Sequence, residues 1–277
     1  MKLVYTQVAK RPAVLERLTG LKMKEFEALR ESFSTHYDQQ VIEPRVKAPG
    51  RKRAAGAGQK GALPEMADKL LFILVYTRIS PLLFVQGLLF GMAESKACTW
   101  VGVLLPVLDA AMGEIHVRPK RATGRSLEEI IEEFPELQEL GVLTDGTERP
   151  IRRPKDETKE NEHYSGKKKR HTSKHVTIVH PKTQRILAVS EEAPGTKHDK
   201  KIMDEAQLSC TTALQVRADS GFQGLSIGNA EIIIPFKRNR SLTDILRNTR
   251  QGMSDSLAMV AMGLHNLRVG MRASYQY

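Results

Sequence analysis

Two aspartates at the ends of apolar runs are the residues on which chemistry can be built. Leu143-Thr144-Asp145-Gly146-Thr147 closes the first strand-like run of the C-terminal half, and Ala218-Asp219-Ser220-Gly221 closes the fourth. Each puts a carboxylate at a strand tip, followed by small residues that let a substrate backbone approach. If the two strands are neighbours, both carboxylates point into one shallow pocket, where like charges are tolerated only with a cation between them. Hard oxygen ligands call for Mg2+ or Mn2+. A pair of such ions about 3.5–4 Å apart can activate water or a 3′-hydroxyl and stabilise the leaving oxygen of a phosphodiester. Asp-Gly and Asp-Ser-Gly are also good turn formers, so spacing alone leaves ordinary strand-end turns as the other reading.

Further polar groups stand near these two. Lys167, Lys168, Lys169 and Arg170 lie on the approach to the second strand, and Arg152, Arg153 and Lys155 lie in the loop after Asp145. Both sets suit phosphate contacts; a lysine-bearing edge that resists strand pairing is the alternative for the first. His198-Asp199, at a strand-to-helix turn, either borders the pocket or starts a helix with an aspartate cap. Lys96 and Thr99 are outward-facing polar residues of an otherwise apolar helix. Their neighbour Trp100 could stack or intercalate, but Val101, Leu104 and Leu105 beside it favour a core position. His265 reads as a packing or capping residue rather than a ligand.

Periodicity supplies the elements that must hold these groups. ELGVLTDGT, KHVTIVHP, RILAVSEEA, ALQVRADSGF and EIIIPFK are strand-like, with a helical segment KKIMDEAQ before the fourth, which makes an α/β domain. SLEEIIEEFPELQEL, from Ser126, predicts one acidic helix ahead of it. A C-terminal amphipathic helix carries Leu257, Val260, Ala261, Leu264 and Leu267 on one face. Upstream, a short helix near Ala13 to Leu18 and an amphipathic one with Leu21, Phe26, Leu29 and Phe33 make a helical segment over 1–42. Residues 43–63, rich in Gly, Pro, Ala, Lys and Arg, read as a basic flexible linker. Residues 64–114 read as three helices: 68–79, a second opened by Pro81 and ended at Gly91, and a third from about Glu94 with Pro106 as a kink. A short helix, a glycine turn and a longer helix outline a helix-turn-helix whose last helix suits the major groove; a plain helical bundle fits the pattern equally.

The formal net charge of +11 favours a polyanionic partner, nucleic acid or an acidic membrane surface. Cys98 and Cys210 have no metal-site or disulfide-framework spacing, so a reducing cytoplasm is the simplest compartment. The N-terminus lacks the sustained apolar core of a signal peptide. The apolar run from Leu70 to Met92 raises a membrane question, but Arg78, Gln86 and the Ser80-Pro81 break interrupt it, so two short buried helices and no membrane partner are expected.

Taken together, DGTERPIRRPKD, YSGKKKRHTSKHVTIV, APGTKHD, RADSGFQG and GLHNLRV, in that order, closely resemble the catalytic domain of DDE-superfamily insertion-sequence transposases. DKLLFILVYTRISP and LLFGMAESKACTWVGVLLPVL resemble the helix-turn-helix that precedes it there, so the resemblance spans about Leu18 to Arg268. It implies an RNase-H-like mixed-sheet catalytic domain over 126–277, preceded by an all-α helix-turn-helix domain over 64–114. It also implies Mg2+- or Mn2+-dependent DNA cleavage and strand transfer, recognition of terminal inverted repeats in double-stranded DNA, a homodimer on that DNA, and a cytoplasmic, nucleoid-associated protein. Asp145 and Asp219 match the first two catalytic acids, and His198-Asp199 matches a GTxHD pattern.

One departure stands out. In the family the fifth strand is followed by a basic loop and a helix that carries the third acid, a glutamate. Here EIIIPFKRNR runs almost directly into SLTDILRNTRQGM, no glutamate follows Glu231, and Asp244 and Asp255 are the acids that remain. The expectation is therefore a domain degenerate after residue 237. It is either a transposase impaired by the missing third acid, with Asp244 and Asp255 as candidate substitutes, or a catalytically inactive DNA-binding remnant that occupies transposon ends.

Overall fold

The computed structural model describes residues 2–47 and 61–234. The chain divides into two compact units, Met1–Arg118 and Pro119–Tyr277. Each is taken by itself.

The first unit is helical: α1 (Tyr5–Val8), α2 (Pro12–Thr19), α3 (Met23–Tyr37), α4 (Glu43–Val46), α5 (Met66–Ile79), α6 (Leu83–Phe90) and α7 (Glu94–Glu114). Pro12 sits in the first turn of α2, and Gly20 ends it with a left-handed φ of 78° that a side chain would oppose. Phe26, Leu29, Phe33 and Tyr37 recur at helical spacing and are the buried apolar residues of α3. A π-type turn, Asp38–Ile42, carries α3 into α4, so chain expected to be linker is helical as far as Val46. Leu63, at the other end of that expected linker, is buried, and residues 48–60 lie outside the described residues. Phe26 and Phe33 share one apolar core with Leu70–Val75 and with Leu104, Val107 and Leu108, so the segment 1–42 packs with 64–114 rather than apart from it.

The apolar run from Leu70 to Met92 does break into two helices, at Ser80, which takes a left-handed φ of 50°, and Pro81. Helix α5 is buried from Leu70 through Val75. The expectation that both helices are buried fails for α6, where Phe84 is 57% and Leu88 62% exposed. The inward stripe of α6 is Gln86, Gly87 and Phe90 instead. The Gln86 amide donates to the Phe72 carbonyl at 2.9 Å, and Gly87 lets the chain fold back tightly, since a Cβ there would stand 2.6 Å from the Met92 carbonyl oxygen. A three-residue turn with Gly91 left-handed then leads into α7. By length and composition α7 is apolar enough to cross a membrane, though Ala97, Leu104, Val107, Leu108 and Ala111 are buried in this unit's core.

The second unit is a mixed α/β sheet domain, the RNase-H-like class expected. Its elements are β1 (Lys120–Arg121), α8 (Glu128–Glu133), α9 (Leu137–Leu140), β2 (Val142–Pro150), α10 (Glu157–His163), β3 (Tyr164–Ser165), β4 (Arg170–Val179), β5 (Ile186–Val189), β6 (Ala193–Pro194), α11 (Asp199–Glu205), β7 (Gln215–Ala218) and β8 (Glu231–Ile233). The acidic segment from Ser126 forms two short helices, not one. Pro135 lacks the N–H that a helix needs, and Phe134 before it is pushed out of the helical region to φ −132°, ψ 76°. The sheet runs β1-β5-β4-β2-β7-β8, with β3 and β6 added on β4. The strand β2 is central: it pairs antiparallel with β4 from Leu143↔Val179 to Pro150↔Thr172, and parallel with β7 from Val142↔Val216 to Thr144↔Ala218. Val142, Val176, Ile178, Val216 and Ala218 pack on one side of the sheet with Ile202, Met203, Phe222 and Leu225.

Candidate active site

Pleat and register decide where the two candidate acids stand. Thr144 and Ala218 are partners on neighbouring parallel strands, and both are buried on the helix-covered side. Side chains alternate along a strand, so the next residue on each strand faces the opposite way. Asp145 continues β2, and Asp219 keeps an extended backbone at φ −78°, ψ 179°. The two aspartates therefore sit on one face of the sheet, on strands about 4.8 Å apart. Both are exposed. Each carboxylate accepts one bond from a nearby glycine amide: Gly146 N–H donates to Asp145 Oδ1, and Gly221 N–H to Asp219 Oδ1, both at 2.8 Å. Among the described residues no ion pair neutralises either one. Two uncompensated, outward carboxylates with free oxygens are a donor set that fits a hard divalent cation. Among the described residues no third His, Cys, Asp or Glu completes a metal-binding group with them.

Behind this pair, on the helix-covered side, lies a charged network that periodicity did not disclose. Lys174 of β4, Glu148 of β2 and Asp199 of α11 keep 12%, 11% and 23% of their side chains exposed. Lys174 Nζ stands 3.4 Å from Glu148 Oε1 and 3.2 Å from Asp199 Oδ1, and donates to the Lys197 carbonyl at 3.0 Å. The Asp199 contact is an ion pair without hydrogen-bond alignment, because that oxygen is buried and has no hydrogen-bond partner. Burial pushes the Glu148 carboxyl up, but the Ser165 hydroxyl, the Lys174 charge and the Thr172 hydroxyl outweigh it and hold the group below its ordinary value. A sequence signal did exist: Glu148 and Lys174 are charges at positions whose alternation with Thr144 and Ile178 assigns them to the covered face.

The remaining expected residues are placed as follows. His198 is the exposed N-cap of α11 and makes no side-chain capping bond, and Asp199 is the first helical residue, so the helix does not begin on an aspartate cap. Asp199 lies against the glycines that follow the two acids: a Cβ at Gly146 would be 2.6 Å from its Cγ, and one at Gly221 would be 3.4 Å from its Oδ2. The ladder of β2 with β4 continues six pairs beyond Thr144, where β7 stops, so a two-stranded ribbon runs past the acids. Lys167, Lys168 and Lys169 form its exposed turn between β3 and β4, where Lys169 takes a φ of 51°, and Arg170 opens β4. Arg152, Arg153 and Lys155 are exposed after β2, and Arg153 pairs with Glu160 at 2.8 Å. Lys96 and Thr99 are exposed on the opening turns of α7. Trp100 is half-buried against the first unit's core, with Lys96 Nζ 5.8 Å from its ring centre. Asp244, Asp255, His265 and the C-terminal amphipathic helix lie outside the described residues.

Residues 144–266 match the DDE superfamily endonuclease family. The match opens one residue before Asp145 and takes in Asp219. Over 215 residues the chain is 28% identical to the probable transposase for insertion sequence element IS702 of Microchaete diplosiphon, covering 76% of this chain and 69% of that protein. No solved structure matches it.

Proposed function

We propose that this chain is an insertion-sequence transposase whose divalent-metal site is built on Asp145 and Asp219, with catalysis weakened by the lack of a third acid. The observation that carries the reading is the Thr144↔Ala218 register, which makes the two following carboxylates neighbours on one face. Mg2+ or Mn2+ bound there would supply Lewis-acid stabilisation of the phosphodiester and an activated hydroxyl. Around it the chain's own groups have separate tasks. The Gly146 and Gly221 amides each bond one oxygen of an acid, and the second oxygen of each has no hydrogen bond among the described residues. Lys167, Lys168, Lys169 and Arg170 at the ribbon's end, with Arg152, Arg153 and Lys155, neutralise phosphates of double-stranded DNA and hold it over the acids. Lys96 and Thr99 of α7 meet the inverted repeat in the major groove, as the second helix of a helix-turn-helix does. In this reading the protein works as a homodimer on transposon ends and target, in the cytoplasm, with no membrane partner.

A specific observation favours a second reading, a DNA-binding remnant without catalysis: among the described residues only two acids meet. Incubating the chain with a labelled repeat-end duplex and Mn2+ separates the two. Nicking that disappears in both Asp145→Ala and Asp219→Ala supports the transposase. Retardation of the duplex without nicking at any metal concentration supports the remnant, and neither nicking nor retardation overturns both.

A further inference from the structure

We propose that Asp199, anchored by Lys174, is a positioning residue that fixes the spacing of Asp145 and Asp219, an inference that rests on those two forming the metal site. The glycines that follow the acids do two things at once. Their amides hold the acids, at 2.8 Å each. Their Cα atoms are backed by the Asp199 carboxylate, close enough at Gly146 that a Cβ would overlap Cγ and both oxygens at 2.6, 2.7 and 2.8 Å. At Gly221 the Asp199 Oδ2 and Asp219 Oδ1 flank the same point, at 3.4 and 3.0 Å. One carboxylate thus wedges against both acid-bearing turns from the covered side of the sheet.

A wedge works only if it cannot move. Asp199 is fixed along the chain by its place in the first turn of α11, where the helix dipole favours a carboxylate. Across the sheet it is fixed by Lys174, which is itself held by Glu148 and the Lys197 carbonyl. Glu148 is held in turn by Ser165 at 2.9 Å and Thr172 at 3.4 Å. This network runs from the root of the basic ribbon to both acids, and the direct site geometry uses none of its members. Groups one shell behind metal ligands typically change metal affinity by roughly 10–100-fold when removed.

Charge and position make opposite forecasts for Lys174. Removing a cation near two carboxylates should tighten a divalent ion if only the field matters. Removing the anchor should loosen the ion if position matters. The test is Mn2+ binding, followed by calorimetry on the full chain, for wild type, Asp145→Ala, Asp219→Ala, Lys174→Met and the charge-neutral double variant Glu148→Gln/Lys174→Met, each with its thermal unfolding curve. Loss of binding in the two alanine variants establishes the site; unchanged binding there refutes the site and leaves the wedge without an object. With the site established, a drop of at least about tenfold in affinity in both Lys174 variants is expected. Affinity equal to or tighter than wild type in the charge-neutral variant overturns the proposal. Loss of cooperative unfolding in both Lys174 variants also overturns it, because the network would then serve folding alone.

Discussion

Replacing Gly146 by alanine tests the packing at the centre of the site without touching a charge. An ideal Cβ on residue 146 would stand 2.6 Å from Asp199 Cγ and 2.7 and 2.8 Å from its oxygens, inside the distances that real contacts adopt. The flexible end of a side chain usually gives way cheaply, but this one is a short aspartate in the first turn of α11, ion-paired to a largely buried lysine. Overpacking of this kind costs about 1–3 kcal/mol. Gly146 has no positive φ and lies within β2, so alanine should recover about 0.5–1 kcal/mol of the entropy that glycine loses on folding. Taking the middle of each range, the net expectation is a loss of about 1 kcal/mol. Urea denaturation should show it as a lower midpoint by about 0.3–1 M at unchanged slope, given slopes of about 1–3 kcal/mol per M. In an Asp199→Ala background the obstruction is gone, so the same substitution should be neutral or stabilising, with a coupling of about 1 kcal/mol or more between the positions. A Gly146→Ala protein as stable as wild type would refute the reasoning, and so would an equal penalty in both backgrounds.

Other consequences are as direct. Gly87→Ala puts a Cβ 2.6 Å from the Met92 carbonyl oxygen in the turn between α6 and α7, so it should cost about 1–3 kcal/mol in urea denaturation; a neutral result would mean the turn is not as tight as described. Glu128 is held well below the usual carboxylate range, by the Ser126 hydroxyl first; burial, next in size, pushes it up, and the Thr211 and Thr212 amides lower it further. A depressed folded value stabilises the protein above the ordinary pKa of about 4.5 and is lost as pH falls below it, so stability should fall less steeply under acid in Glu128→Gln than in wild type. Parallel acid profiles for the two proteins would contradict that assignment. Replacing Lys167, Lys168, Lys169 and Arg170 together by alanine should flatten the salt dependence of duplex binding by about 0.9 in log–log slope for each phosphate no longer neutralised. An unchanged slope in gel retardation across salt would remove these residues from the DNA interface.

Several features of this protein were legible because they are local. Apolar runs of strand length located β2 and β7, although β2 does not end at Asp145-Gly146 as its turn-forming residues suggested but runs on to Pro150 because β4 pairs with it that far, and the left-handed Gly91 closed α6 where the residues said it would. The short strands β1, β3 and β6 were not legible, since two residues carry no period; they are strands only because β4 and β5 offer free edges to pair with. Burial of α6 was misjudged because its composition is apolar all round, while its inward face is chosen by the Gln86 bond to the Phe72 carbonyl and by the Gly87 approach to Met92. For the Lys174 anchor, alternation could put Glu148 and Lys174 on the covered face but could not pair them. Its partners Glu148 and Asp199 lie 26 and 25 positions away, and nothing short of the sheet's register brings them to one point.

Topology explains why the first residue of α11 reaches the glycines that follow the two acids. The parallel neighbours β2 and β7 cannot be joined by a tight turn, so the chain between them must cross over. It does so through the antiparallel strands β4 and β5 and then through α11, which packs against β4 and against the turn after Asp219. A crossover helix has to lie on the sheet face and deliver the chain to the start of β7, which sends the opposite end of that helix, its N-terminus, toward the far end of β7 and the neighbouring stretch of β2 that holds Asp145. The glycine after Asp145 and the glycine two residues after Asp219 are then the places where the sheet must give that N-terminus room. Any larger residue at 146 would push α11 away from β2 at Asp145, and with it Asp199, whose carboxylate lies beside both glycines.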